Sequence, residues 1–178
     1  MDQQAIVFRR AAEQDQPAIR ALVRGERLNP TGIDWPNFMV AAIAGHIVGA
    51  VQIRKHSDGS RELGSLVVAK DHRGNGIASR MIDTLLANER EPVWMITSEP
   101  YAKAYARWDF ERIEPGAAPV KVRFNYRMGR LARVISFFRR QPMRRLVILE
   151  RLPVDTRIDS RSGAESSDLA TAALQPVT

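Results

Sequence analysis

Cysteine is absent from the 178 residues, so the chain can form neither a disulfide framework nor a thiolate metal site. That suits a reducing compartment, and it leaves packing as the source of stability. Long apolar runs are missing too. The most apolar stretch, 38–51, is broken by Gly45 and His46, and the start, MDQQAIVFRR, lacks the basic and apolar regions of a signal peptide. The expectation is a soluble, cytoplasmic protein with no transmembrane segment. Histidines number three, and His46, His56 and His72 fall at spacings without metal-ligand logic, so no metal is assigned. Acids are scarce in one place: residues 121–151 hold nine arginines and one lysine against Glu150 alone, a local charge of +9 within a net +7. Such a block suits an acidic partner, a nucleic acid or an anionic membrane, or is simply a solvated face.

What is present fits one ordinary domain. Ile6 and Phe8 alternate as in a strand, and Asp15 before Pro17 marks the start of a helix with Ile19, Leu22 and Val23 on one face. Residues 24–37 are interrupted by Gly25, Pro30, Gly32 and Pro36 and predict an irregular connection with at most a short helix. Phe38 resumes an apolar run, Ala44 and Gly45 turn it, and 47–54 returns. After the turn-rich segment 56–60 another strand runs from Arg61 to about Lys70. This middle reads as an antiparallel meander. Beyond Gly76 the period changes: Ile77, Met81, Ile82, Leu85 and Leu86 recur at helical spacing as far as about Arg90. Pro92 ends that helix, and the apolar run 93–97 reads as a strand covered on both faces, giving one parallel strand-helix-strand crossover. A helix carrying Tyr101, Ala104, Tyr105 and Trp108 follows, with strands expected at 110–113 and 146–152. The domain is expected to span 1–153. It includes a basic, partly helical insertion at about 114–145, whose helix around 127–138 places Leu131, Val134, Ile135 and Phe138 on one side. Residues 154–178 have little apolar periodicity and no aromatic, and are expected to be a disordered tail.

The segment 66–79, LVVAKDHRGNGIAS, runs from an apolar strand through small residues into a helix. The first N–H groups of a helix have no partner within it and carry partial positive charge, so Arg73, Gly74, Asn75, Gly76, Ile77, Ala78 and Ser79 predict a phosphate site. Gly74 and Gly76 permit close approach and unusual dihedrals. A tight turn without ligand remains open. A nucleotide-triphosphate loop would need Gly-Lys-Ser/Thr, which is absent, and a dinucleotide fold is disfavoured by Ser79 and by the preceding meander.

These residues give the chain its resemblance to the GNAT superfamily of acyl-CoA N-acyltransferases. Arg73-x-x-Gly76-x-Ala78 matches the family's Q/R-x-x-G-x-G/A signature, Ile6 to Asp15 is similar to its first strand and helix, and Asp109-Phe110 stands where its helix commonly ends in Gly-Phe. The likeness covers roughly 5–113 plus the last strand. It implies a mixed α/β fold: a mostly antiparallel sheet with one parallel crossover at the cofactor site and helices on both faces. It further implies acetyl-CoA as co-substrate, with Leu66, Val67 and Val68 offering backbone groups to pantetheine and 73–78 wrapping the pyrophosphate. Ser98 stands where many members have a pantetheine-side asparagine, and Asp109 replaces a glycine.

Acetyl transfer to an amine needs a neutral nucleophile, a stabilised oxyanion and a proton for the leaving thiolate. Glu62, entering the strand before the motif, is the candidate base, and an ordinary strand carboxylate is its plain alternative. The resemblance implies that this strand diverges from its parallel neighbour, often at a bulge; Val68 N–H is the expected oxyanion donor, ahead of Val67. It also assigns the proton donor to Tyr105, five residues before Phe110, with Tyr101 as substitute and a core tyrosine beside Trp108 as the alternative. His72 is expected to be solvated rather than to touch a phosphate, and Trp35 and Phe38 to be core residues rather than pocket walls. The reading is an N-acetyltransferase acting on a small-molecule or protein amine by direct attack. A non-catalytic acyl-CoA-binding module, or an interaction protein using the basic 121–151 segment, are the other two.

Overall fold

The computed structural model describes residues 5–26, 32–137 and 145–153. The expected tail, 154–178, lies outside them. Strand β1 (Ile6–Arg10) leads to helix α1 (Gln16–Gly25), then β2 (Phe38–Ile43), β3 (His46–Lys55) and β4 (Arg61–Val68). Helix α2 (Ile77–Leu86), β5 (Val93–Ser98), the short α3 (Glu99–Ala102), β6 (Glu111–Ile113), α4 (Val120–Phe137) and β7 (Leu146–Arg151) complete the order. The seven strands form one sheet in the order β1-β2-β3-β4-β5-β7-β6, antiparallel throughout except for the parallel β4–β5 pair. This is the mixed α/β arrangement the sequence predicts, with the single parallel crossover through α2.

Helices α1 and α2 cover the sheet with the faces their sequences make apolar. Met81, Ile82 and Leu85 of α2 pack on Val51, Ile53, Leu63, Val68 and Met95. On the opposite face Ile19 and Val23 of α1 meet Phe38, Val40, Ala50 and Val67, and Val122 and Tyr126 of α4 meet Trp94, Ile96 and Ile148. Asp15 opens the α1 segment as expected. Its carboxylate receives both Arg9 guanidinium nitrogens and the Ala12 N–H at 2.7 Å, and chiefly the Arg9 bonds hold its pKa below the ordinary range. The irregular connection is pinned by Gln16, which donates to Ile33 O and accepts from Trp35 N–H, both at 2.8 Å, ahead of a single 3-10 turn at Trp35–Asn37. Phe38 is fully buried, the core role expected of it, and Trp35 is partly buried against the same cluster.

The insertion helix differs from expectation. It begins at Val120 rather than near Arg127, and Leu131, expected on its apolar side, is 53% exposed in line with Val120, Phe124 and Met128. Among the described side chains the buried face is Val122 and Tyr126, which meet Trp94 and Ile96 of β5 and Ile148 and Leu146 of β7. The expected partner Phe138 and the side chains of Val134 and Ile135 lie outside what is described. Helix α2 also stops at Leu86, short of Arg90, where two turn residues precede Pro92.

The α4 start is tied to the β3–β4 turn by Asp58, whose carboxylate accepts Ser60 Oγ–H at 2.6 Å and Lys121 N–H at 2.9 Å. Those donors, Ser60 first, lower its pKa from 3.8 to about 2. The folded carboxyl therefore takes up a proton less readily than the unfolded one. Stability from this contact is complete above pH 3.8 and is lost as pH falls towards about 2. Replacing Asp58 by asparagine is expected to flatten the fall of melting temperature across that window, read by circular dichroism at a series of pH values. An unchanged pH profile counts against the tie.

Candidate active site

The site begins with a defect in the sheet. β4 pairs with β5 only through Arg61, Glu62 and Leu63, opposite Val93, Trp94 and Met95, while β5 keeps β7 on its other edge along its whole length. Residues 64–68 of β4 are left with no β5 partner, and the two strands diverge. At the point of divergence the β3–β4 register shifts: Gln52 faces Gly64 and Ala50 faces Val67, so Ser65 and Leu66 together oppose Val51. This is a β-bulge, and Ser65 holds a φ of 52°, the left-handed region that a bulge imposes.

The bulge decides which groups face the opening. Ala69 N–H donates to Val48 O at 2.8 Å, Val68 stands opposite Gly49 and Val67 opposite Ala50. Bonded and non-bonded residues alternate in an antiparallel ladder. Val67 therefore exchanges bonds with β3, and Val68 directs its N–H and C=O away from β3, into the gap. The Val68 carbonyl there accepts Arg73 Nε–H at 2.8 Å.

Below the opening lies the glycine turn. After a 3-10 turn at Lys70–His72, Gly74 takes φ 81° and Gly76 φ 71°, with Gly76 as the N-cap of α2. Both angles are left-handed, which is the physical demand for glycine here. The first main-chain bond of α2 is Arg80 N–H to Gly76 O, 3.0 Å. The N–H groups of Ile77, Ala78 and Ser79 stand ahead of it, at the positive end of the helix dipole. A cavity of about 470 Å³ joins the turn to the split, lined by Glu26, Leu66, Val67, Val68, His72, Arg73, Gly74, Gly76, Ile77, Ala78 and Ser79. Asn75 lies in the same turn, with its side chain donating to His72 O at 3.3 Å.

Sequence reasoning did not foresee Glu26, which meets Arg73 Nη2 at 2.7 Å, both side chains being part-exposed. Arg73, expected at the pyrophosphate, thus bridges the Glu26 carboxylate and the Val68 carbonyl. No pattern in the sequence marks Glu26, since it follows the helix end in the irregular segment.

Tyr105 sits in a 3-10 segment, Lys103–Trp108, following α3, rather than in one continuous helix. It packs edge-on to Phe110 and tilted against Trp108, against the core cluster beneath α2, without lining the cavity itself. Among the described residues its hydroxyl makes no hydrogen bond, and burial raises its pKa above 10.0. Asp109 makes the turn after it with φ 61°, the left-handed role its position demands. Trp108 Nε1–H to Asp83 at 2.5 Å ties this segment to α2. Ser98 is buried at the end of β5, as the N-cap of α3.

Glu62 is no surface carboxylate: it is 9% exposed. Its Oε2 meets His56 Nε2 at 2.9 Å and accepts Asn125 Nδ2–H at 2.8 Å, whereas Oε1 takes no bond from the described residues. It lies on the sheet face covered by α4, opposite the α2 face. His56, assigned nothing in the sequence, is its second partner. Six strand steps separate Glu62 from Val68, about 20 Å, and four separate it from Leu66, about 13 Å. Among the described residues no three His, Asp or Glu gather as for a metal ion, and no helix is long and apolar enough to cross a membrane.

Comparison with known proteins places this geometry. Residues 34–112 match the family model described as acetyltransferase (GNAT) domain. No curated protein matches the sequence. Among solved structures, N-acetylglutamate synthase from Neisseria gonorrhoeae, complexed with coenzyme A and L-arginine, superposes with a TM-score of 0.64 at 17% identity over 85% of this chain. The chain spans only 34% of that protein's length. Rv2747 from Mycobacterium tuberculosis, in complex with CoA, gives 0.61 at 21% identity over 83% of this chain and 99% of its own. Diaminobutyrate acetyltransferase from Paenibacillus lautus, with L-2,4-diaminobutyric acid and coenzyme A, gives 0.56 at 15% over 84% and 96%. At these identities the likeness establishes the fold.

Proposed function

Because residues 34–112 match the GNAT acetyltransferase domain, we propose that this chain transfers an acetyl group from acetyl-CoA to a primary amine, by direct attack within a ternary complex. The observation that carries the reading is the β4–β5 split opening onto the left-handed glycine turn. The turn gives an anion the N–H groups of Ile77, Ala78 and Ser79. The split gives an extended thioester arm an unpaired strand edge to bond along. The solved structures that share this fold include complexes with coenzyme A, which supports the same ligand here.

In the proposed reaction an ammonium acceptor loses a proton, its nitrogen lone pair attacks the thioester carbon, and the C–S bond breaks. Products are the N-acetyl amine, coenzyme A thiol and one proton. Val68 N–H, directed into the gap, receives the developing oxyanion or the adjacent pantetheine oxygen. Tyr105, kept protonated by burial, supplies the thiolate's proton. Given its separation from Val68 along β4, the base role proposed for Glu62 runs through intervening water. Its free Oε1 is the receiving atom. The setting we propose is the cytoplasm.

The test is twofold: calorimetric titration with acetyl-CoA, and release of free CoA thiol across an amine panel. Binding with turnover is expected, and Glu62→Gln should lower kcat about 100-fold at neutral pH, in the range of general-base losses. Binding without turnover on any amine favours the non-catalytic module. Failure to bind acetyl-CoA ends the proposal.

A further inference from the structure

On the face of the sheet away from α2, a row of polar atoms is left without partners. Gln52 is fully buried, and its Nε2–H donates to Ser65 Oγ at 2.9 Å, but its Oε1 has no partner. Arg54 Nε and Trp94 Nε1 are likewise buried and unpartnered. Cross-strand partners share a face, and the register strings these residues together: Gln52 opposes Gly64, Arg54 opposes Glu62, and Glu62 opposes Trp94. Buried polar groups are ordinarily satisfied. Two donors and one acceptor unsatisfied on one face, beside the strand split, form a pattern rather than an accident of packing.

There is room beside them at Gly64. A Cβ built on Gly64 in the middle of β4 would meet nothing within 4 Å. The Arg54 guanidinium lies over Gly32, where a Cβ would come within 3.2 Å of its Nε, so it is seated against the chain returning from α1. Its cross-strand neighbour Glu62 is held by His56 and Asn125 through Oε2, and Arg54 has no ion pair or hydrogen bond among the described residues. A guanidinium in this state is matched by a carboxylate or phosphate, which it binds through a planar fork. An ammonium is matched by the free Gln52 Oε1, whose cross-strand partner Gly64 precedes Leu66 by two residues of β4.

We propose that this row seats the acceptor, and that the acceptor is a small amine bearing an anionic group, carboxylate or phosphate. Arg54 takes the anion, Gly64 floors the passage, and Gln52 directs the amine towards the split. The assignment rests on the acetyltransferase reading above and narrows its substrate class.

The experiment pairs each anionic amine with a neutral counterpart: free L-amino acids with their C-terminal amides, and aminoalkyl phosphates with the matching amino alcohols. CoA thiol release is followed, and acetyl-CoA binding is measured separately. The anionic member of at least one pair is expected to have a kcat/KM tenfold or more above its partner, and Arg54→Gln to bring that ratio within threefold. Gly64→Val fills the floor without a left-handed backbone to strain. It is expected to raise the acceptor KM at least tenfold while acetyl-CoA still binds, which also reports that the variant folds. Equal use of neutral partners, a preference that survives Arg54→Gln, or bound acetyl-CoA with no turnover of any anionic amine overturns this proposal. Should acetyl-CoA itself fail to bind wild-type protein, the acetyltransferase reading falls first.

Discussion

Gly76→Asp is expected to weaken acetyl-CoA binding about 100-fold, close to 2.7 kcal/mol, while the protein stays folded. Two effects act on the fold in opposite directions. Gly76 holds φ 71°, and a side chain there costs roughly 1–2 kcal/mol relative to glycine, least for Asp and Asn. A carboxylate at the N-cap of α2 returns part of this by accepting the first free N–H groups and facing the positive end of the dipole. Binding has no such compensation. The new carboxylate occupies the N–H groups meant for the pyrophosphate and repels its charge in the 470 Å³ cavity. Isothermal titration should show the loss and thermal melting a shift of only a few degrees. An affinity within threefold of wild type would mean that the phosphates bind elsewhere.

The second large effect is on turnover. Tyr105→Phe keeps the ring contacts to Trp108 and Phe110, and removes a hydroxyl that bonds to no described residue, so stability is expected to change little. If that hydroxyl protonates the leaving thiolate, kcat falls between about 10²-fold and 10³-fold with the acetyl-CoA affinity intact. Burial raises the Tyr105 pKa above 10.0, so the donor stays protonated through neutral pH and its ionisation limits the rate only on the alkaline side. The wild-type kcat profile should therefore fall at high pH, and Tyr105→Phe should lose that limb. A variant with wild-type kcat would leave Tyr105 as a packing residue.

The parts of the molecule governed by local rules could be read from the chain. The helical period beginning at Ile77, the alternation in the meander and the breaks at Gly45 and Pro92 report backbone preferences, and the sheet follows them. The glycine turn was legible for the same reason, since left-handed angles at 74 and 76 leave a mark in residue type. What could not be read depends on register and on distant contacts. The bulge at Ser65 carries no glycine to announce it. The bond from Asn125 to Glu62 crosses 63 positions, so nothing near Glu62 signals that it is buried. In helix α4 Val120, Phe124, Met128 and Leu131 make an apolar line that faces outward, and only the sheet beneath determines that Val122 and Tyr126 are the anchored ones. Gln52 and Arg54 looked like ordinary strand residues until the register set them beside the split.

The bulge also makes β4 odd in its arithmetic. Leu63 and Val68 both lie in the core beneath α2 although five positions separate them, an interval that in a regular strand sends side chains to opposite faces. One surplus residue resets the count. Deleting Ser65 would therefore not merely shorten the strand: beyond the deletion inside and outside would trade places, with Val68 delivered to the α1 side and Val67 to the α2 side. The glycine turn would arrive rotated with them. Length polymorphism at this one point is thus more damaging than substitution at most buried positions of the same strand.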